Sequence, residues 1–241
     1  LEEAEKYYRE VVRIAPQVSW SYVNLAILLA ENKKMAEAIE ALKEGLARMP
    51  GDFVLLSRLS QFYMREGKLN EAYEMSQEVL KQDPQYFDAL VISGWVLEAW
   101  GREQEASEYF KRALDIEPEN RLIRMKYAYA LAAFGRTKDA IDIYDQLEKE
   151  TPDDYRIYTD LGVIYSSSGN LELARENFKK AVDVNPSPET YLNYSSVLER
   201  GGDLKEAIRY LKLYLETTQE GDTPRKREAE RALADWEKRV P

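Results

Sequence analysis

The sequence predicts an all-α array of stacked helix pairs, and three spacings predict it. Pro16, Pro50, Pro84, Pro118, Pro152 and Pro186 stand 34 residues apart, without slippage. Ala4, Ala38, Ala72, Ala106, Ala140 and Ala174 keep the same period in another phase. Gly67, Gly101, Gly135 and Gly169 keep it in a third. A fixed period of this size marks one supersecondary unit repeated along the chain.

Each unit reads as two helices. From Tyr155 to Ser168 the apolar residues Ile157, Tyr158, Leu161, Ile164 and Tyr165 form a helical stripe. "SGN" at 168–170 breaks it, with Gly169 suited to the left-handed conformation after a helix. Leu171, Ala174, Phe178, Ala181 and Val182 make a second stripe, and Pro186 ends it. Alanine at the repeating position fits close approach of the two helices, where a larger side chain would push them apart.

In chain order, residues 1–18 read as the second helix of a unit whose first helix is missing: either a preceding helix was removed or disordered or, the favoured expectation, the chain is a piece of a longer protein. Residues 19–220 hold six pairs, starting near Ser19, Phe53, Phe87, Arg121, Tyr155 and Pro188. The last pair is offset by one, because Ala207 follows Ala174 by 33 residues and the "NPSPE" link is one residue short. Residues 221–241 form a C-terminal capping helix, with Thr223 as cap and Pro224 at its first position. Its apolar stripe is Ala229, Ala232, Leu233, Trp236 and Val240, and its other face is charged.

This pattern resembles the tetratricopeptide repeat family. The family motif is carried in one unit by Tyr158, Leu161, Gly162, Tyr165, Ala174, Phe178, Ala181 and Pro186. An earlier unit carries Leu90, Ser93, Gly94, Leu97, Ala106, Phe110, Ala113 and Pro118, where Ser93 departs from the usual Leu. The unit starting at Arg121 is the most degenerate, with Arg124 at the large apolar slot. The resemblance implies a right-handed superhelical solenoid of antiparallel helix pairs. It also implies a concave groove lined by the second, fifth, sixth and ninth residues of each first helix.

On that reading the ninth slot holds Ile27, Gln61, Trp95, Tyr129, Val163 and Ser196. The sixth holds Asn24, Arg58, Ile92, Lys126, Asp160 and Asn193, and the second holds Trp20, Val54, Asp88, Leu122, Arg156 and Glu189. The candidate partner-binding residues are therefore Trp20, Asn24, Arg58, Gln61, Trp95, Lys126, Tyr129, Arg156 and Asp160. Aromatics beside arginine are the usual material of binding hot spots. The expected ligand is a peptide or helix of a partner protein, its apolar anchor at Trp95 and Tyr129 and an acidic group near Arg58 or Lys126. The bland alternative is that the aromatics only pack against neighbouring helices. The family's carboxylate clamp for acidic chaperone tails is not matched: Val23 and Ile27, Ser57 and Gln61, and Val91 and Trp95 all fail its Lys and Asn requirement. Asn24, Asn193 and Arg58 match it in isolation.

Composition narrows the function. With no cysteine and no histidine, the 241 residues hold no disulfide, thiol nucleophile or imidazole base, and no zinc site built on them. A net charge of −10 argues against nucleic acid as a partner. No apolar run approaches the 18 or so residues of a membrane span. The chain starts at Leu1, so a removed leader stays open and the compartment is undefined: cytoplasmic, periplasmic or secreted. No catalytic, metal or cofactor constellation is expected. Arg225, Lys226 and Arg227 read as a solvated helix face. "NYS" at 193–195 matches a glycosylation acceptor but falls inside a helix.

The leading expectation is a non-enzymatic protein–protein interaction scaffold. One alternative is a self-assembling structural protein, a homo-oligomer stacked through the stripe Ala4, Tyr7, Tyr8 and Val11. The other is the interaction arm of a larger protein whose chemistry lies elsewhere. Trp95 and Trp100 lie about 140° apart around a helix axis and cannot form one platform. Trp100 precedes Gly101 as Phe134 precedes Gly135, so it reads as packing at the turn.

Overall fold

The computed structural model describes residues 2–219, 221 and 223–240. Among them every regular element is an α-helix: α1 (Glu2–Ile14), α2 (Ser19–Glu31), α3 (Met35–Arg48), α4 (Phe53–Arg65), α5 (Leu69–Gln82), α6 (Phe87–Ala99) and α7 (Glu103–Ile116). There follow α8 (Arg121–Ala133), α9 (Thr137–Glu150), α10 (Tyr155–Ser167), α11 (Leu171–Val184), α12 (Pro188–Arg200), α13 (Leu204–Thr217) and α14 (Pro224–Arg239). The chain divides into two compact units, Leu1–Ala130 and Leu131–Pro241.

In the first unit α2 packs on α3, α4 on α5 and α6 on α7 as antiparallel pairs. Small residues set the approach within a pair. Ala38, Ala72 and Ala106 are fully buried. Gly94 lies so close to α7 that a Cβ added there would meet Phe110 Cε1 at 2.5 Å. Leu25, Leu42, Leu55 and Phe62 are buried in one cluster, and Leu90, Leu97, Phe110 and Ile123 in the next. Outside them, α1 turns Val12 and Tyr8 to the core while Tyr7 stands 66% exposed. The expected stripe Ala4, Tyr7, Tyr8 and Val11 is thus divided, because α1 packs against α2 with the face that carries Tyr8.

The pair around α5 and α6 departs from this scheme. Ser76 stands one period from Phe110, and Ser93 stands where Leu is usual. Both hydroxyls are buried and bonded to each other at 2.9 Å. Gln77 Nε2 donates to Ser93 Oγ at 2.9 Å, and Tyr109 donates to Gln77 Oε1 at 3.1 Å. Two polar departures satisfy one another, so neither leaves an unpaired buried group. Burial, reinforced by Tyr109, pushes the neighbouring Tyr73 phenol up to about 12. Trp100 packs its ring against Tyr73 at 5.2 Å, edge to face, as expected of a residue at the turn.

In the second unit α10 packs on α11 and α12 on α13. Gly162 repeats the close approach, with Phe178 Cδ1 2.6 Å from where its Cβ would be. Tyr158 donates to the Pro152 carbonyl at 2.8 Å, and in the first unit Tyr22 makes the same bond to Pro16 at 3.2 Å. The short link before α12 is closed by a capping box between Ser187 and Thr190, with Pro188 in the first turn. Thr223 caps α14, whose Ala229, Ala232, Leu233 and Trp236 pack with Leu211 and Tyr214.

The turn inside each pair needs a residue in the left-handed region. Gly67, Gly101, Gly135, Gly169 and Gly202 supply it, with φ between 69° and 97°. In the first pair Lys33 takes that place at φ 62°. A side chain there costs about 1–2 kcal/mol, and glycine returns about 0.5–1 of it in unfolded-state entropy. Lys33→Gly is expected to raise stability by about 0.5–1 kcal/mol in urea unfolding, whereas Gly67→Ala lowers it. A Lys33→Gly midpoint at or below the parent's would show that this turn is not strained.

Candidate functional site

The first helices of successive pairs lie side by side in the first unit, α2 against α4 and α4 against α6. An ion pair joins α6 to α8, from Lys126 Nζ to Glu98 Oε1 at 2.9 Å. Asp52 starts α4 by accepting from the backbone of Val54 and Leu55 at 3.0 Å, and Ser19 at the start of α2 donates to the same carboxylate. The Ser19–Asp52 bond ties the start of α2 to that of α4, and the Lys126–Glu98 pair ties the middle of α8 to the end of α6.

At the α2 edge Trp20 is 56% exposed, and Asn24 is exposed on the same helix. On α4, Arg58 is half-buried and its Nη1 donates to Gln61 Oε1 at 2.6 Å. Gln61 Nε2 reaches Asp88 Oδ2 on α6 at 3.4 Å. Trp95 is half-buried, its ring packed against the cluster of Leu90, Leu97 and Phe110. Its indole N–H is buried and meets no acceptor among the described residues. Tyr129 on α8 is half-buried, and no ring contact joins it to Trp95. The two aromatics therefore stand as separate faces, not as a stack.

Four groove-slot positions turn out differently from a simple row of free side chains. Lys126 is neutralised by Glu98. Ile92, at the sixth slot of α6, is only 1% exposed and packs with Ala72 and Val96, so it belongs to the core. Arg156 and Asp160 lie on α10 in the second unit. There Arg156 Nε and Nη2 grip Asp154 at 2.9 and 2.8 Å, and those bonds raise its pKa above the ordinary arginine value. Asp160 accepts from the Tyr144 hydroxyl at 2.9 Å. Sequence reasoning missed Glu98 as the counter-ion. The available signal is that a carboxylate 28 residues before a sixth-slot lysine lies on the adjacent first helix. It also missed the Phe53–Tyr86 contact at 5.5 Å beside the start of α4.

Among the described residues no group of three or more His, Cys, Asp or Glu could hold a metal ion, and no helix is long and apolar enough to cross a membrane. Within each unit, helix hairpins that meet through their first helices, α2 with α4 and α4 with α6, and α10 with α12, define a helical-repeat protein. The chain belongs to the tetratricopeptide repeat family: models described as tetratricopeptide repeat match residues 29–91 and 99–163, 155–188 and 188–220, and 1–53.

Curated relatives are more distant. The human "Antiviral innate immune response effector IFIT1" is 24% identical over 216 residues, covering 85% of this chain and 41% of that protein. The mouse "BBSome complex member BBS4" is 22% identical over 199 residues, covering 80% of this chain and 38% of that protein. The chain thus spans about two fifths of the length of these relatives. A tetratricopeptide repeat protein from Parabacteroides merdae shares the fold at a TM-score of 0.77 and 17% identity, covering 96% of this chain and 91% of that one. YrrB, described as having an unusual peptide-binding site, superposes at 0.67 with 20% identity, over 83% of this chain and 100% of that one.

The unpaired indole N–H gives a stability test. Trp95→Phe keeps an aromatic ring in the packing and deletes a buried donor without an acceptor. Stability is expected to hold or to rise by up to about 1 kcal/mol, while Trp95→Ala costs about 2–3 kcal/mol. Urea unfolding of both variants decides it, and a Trp95→Phe loss as large as that of Trp95→Ala would mean that the N–H is bonded after all.

Proposed function

We propose that this array is a non-enzymatic interaction scaffold. It takes a peptide or helix of a partner protein in the groove lined by the first helices of its first unit, with an apolar partner residue anchored at Trp95 and Tyr129. The observation that carries this reading is Trp95: a large aromatic at the ninth position of α6, half-buried, so that part of its ring stays open to a ligand. Aromatic side chains bring large contact area at low entropic cost, and such residues dominate interface energies. Trp20 and Asn24 at the α2 edge extend the same surface with an exposed ring and an exposed amide. The lack of cysteine and histidine supports binding rather than chemistry.

The test needs no foreknowledge of the partner. Peptides selected from a displayed random library against the protein are measured against Trp95→Leu/Tyr129→Leu, which keeps apolar filling but removes both flat faces. Affinity is expected to fall about tenfold or more with helicity retained by circular dichroism. Binders whose affinity survives the double substitution unchanged would sink the groove reading.

A further inference from the structure

We infer that the groove selects one acidic residue in its ligand, and that Arg58 is the group that takes it. This rests on the groove reading and adds to it the chemistry and the register of the ligand. Three arginine or lysine side chains occupy candidate slots. Lys126 is paired with Glu98 at 2.9 Å, and Arg156 with Asp154 at 2.8 Å. Arg58 has no carboxylate within ion-pairing distance among the described residues. Its one hydrogen bond goes to the neutral amide oxygen of Gln61, at 2.6 Å.

A guanidinium has five donors, so most of Arg58's capacity is unspent. It is half-buried, where a charge is poorly hydrated and a counter-ion is worth more than in open water. Its planar fork matches a carboxylate in two parallel bonds. Gln61 holds the fork from one side and is itself tied to Asp88 at 3.4 Å. That arrangement restrains Arg58 before a ligand arrives.

Asp88 also sets a limit. It lies one hydrogen bond beyond Gln61, and Glu98 lies beside Trp95 on the same helix. A tract of several acids would meet these carboxylates, so a single acid flanked by apolar residues fits best. Neighbouring helix axes lie about 8–10 Å apart, which separates Arg58 on α4 from Trp95 on α6. An extended chain advances about 3.3 Å per residue. The acid and the apolar anchor therefore fall about three residues apart in the ligand.

The experiment uses the library-selected peptides on the full chain, each compared with its copy carrying Asn or Gln at the acid. On the wild-type protein the peptides are expected to share an Asp or Glu about three positions from an aromatic or aliphatic residue. The amide copy is expected to bind about tenfold or more weakly. On Arg58→Gln, checked for unchanged helicity, acid and amide copies should bind equally. Acid dependence that persists in Arg58→Gln and vanishes in Lys126→Met overturns the assignment. Peptides that need Trp95 and Tyr129 but bind equally as acid and amide overturn it while leaving the groove reading intact. Peptides indifferent to Trp95→Leu/Tyr129→Leu, or no binder at all, remove the groove reading and this inference with it.

Discussion

Everything in this chain depends on how closely the two helices of a pair can approach. Backbone meets ring where Gly94 faces Phe110 and Gly162 faces Phe178, at distances that leave no room for a methyl group. The fully buried alanines at the repeating position extend the same contact along the pair. Once the helices are that close, their side chains can only fill the grooves between them or point out to the neighbouring pairs. Within each unit a pair buries apolar surface on the next, so the core there is a series of local clusters and not one centre.

Locality also explains the character of the candidate site. Several residues in the groove slots of the first helices, Trp20 and Asn24 among them, are exposed and so are free to vary in kind. Within the first unit that freedom produced an exposed indole at Trp20, an amide at Asn24, a half-buried guanidinium at Arg58 and a half-buried indole at Trp95. The polar members are tied across helices by Gln61 to Asp88 and by Lys126 to Glu98. These ties cross from one repeat to the next, so the surface is partly organised by the neighbours of each helix.

The fold was legible because its causes are periodic. Proline after the second helix and a left-handed turn between helices recur at fixed intervals, and even the single shortened interval before α12 shows in the spacing of Ala174 and Ala207. The use of Lys33 for a left-handed turn was not legible, because the sequence shows the missing glycine but not whether the backbone still takes that shape. The site was legible only as a set of positions. Whether Lys126 is free depends on the reach of Glu98 from the adjacent helix, and whether Ile92 faces out depends on the small Ala72 that receives it. Both follow from pairs of residues on different helices, which a single repeating pattern does not reveal.

The serine pair between α5 and α6 bears on how such arrays can be cut and rejoined. Repeats are often treated as interchangeable bricks, since each touches only its neighbours. Here the boundary between two bricks is written in both at once: Ser76 belongs to one repeat and Ser93 to the next, and each supplies the other's bond. Exchanging either repeat for a standard one would set an apolar group against a buried hydroxyl. These two repeats are therefore one inheritable block, and a splice in this protein belongs on either side of them.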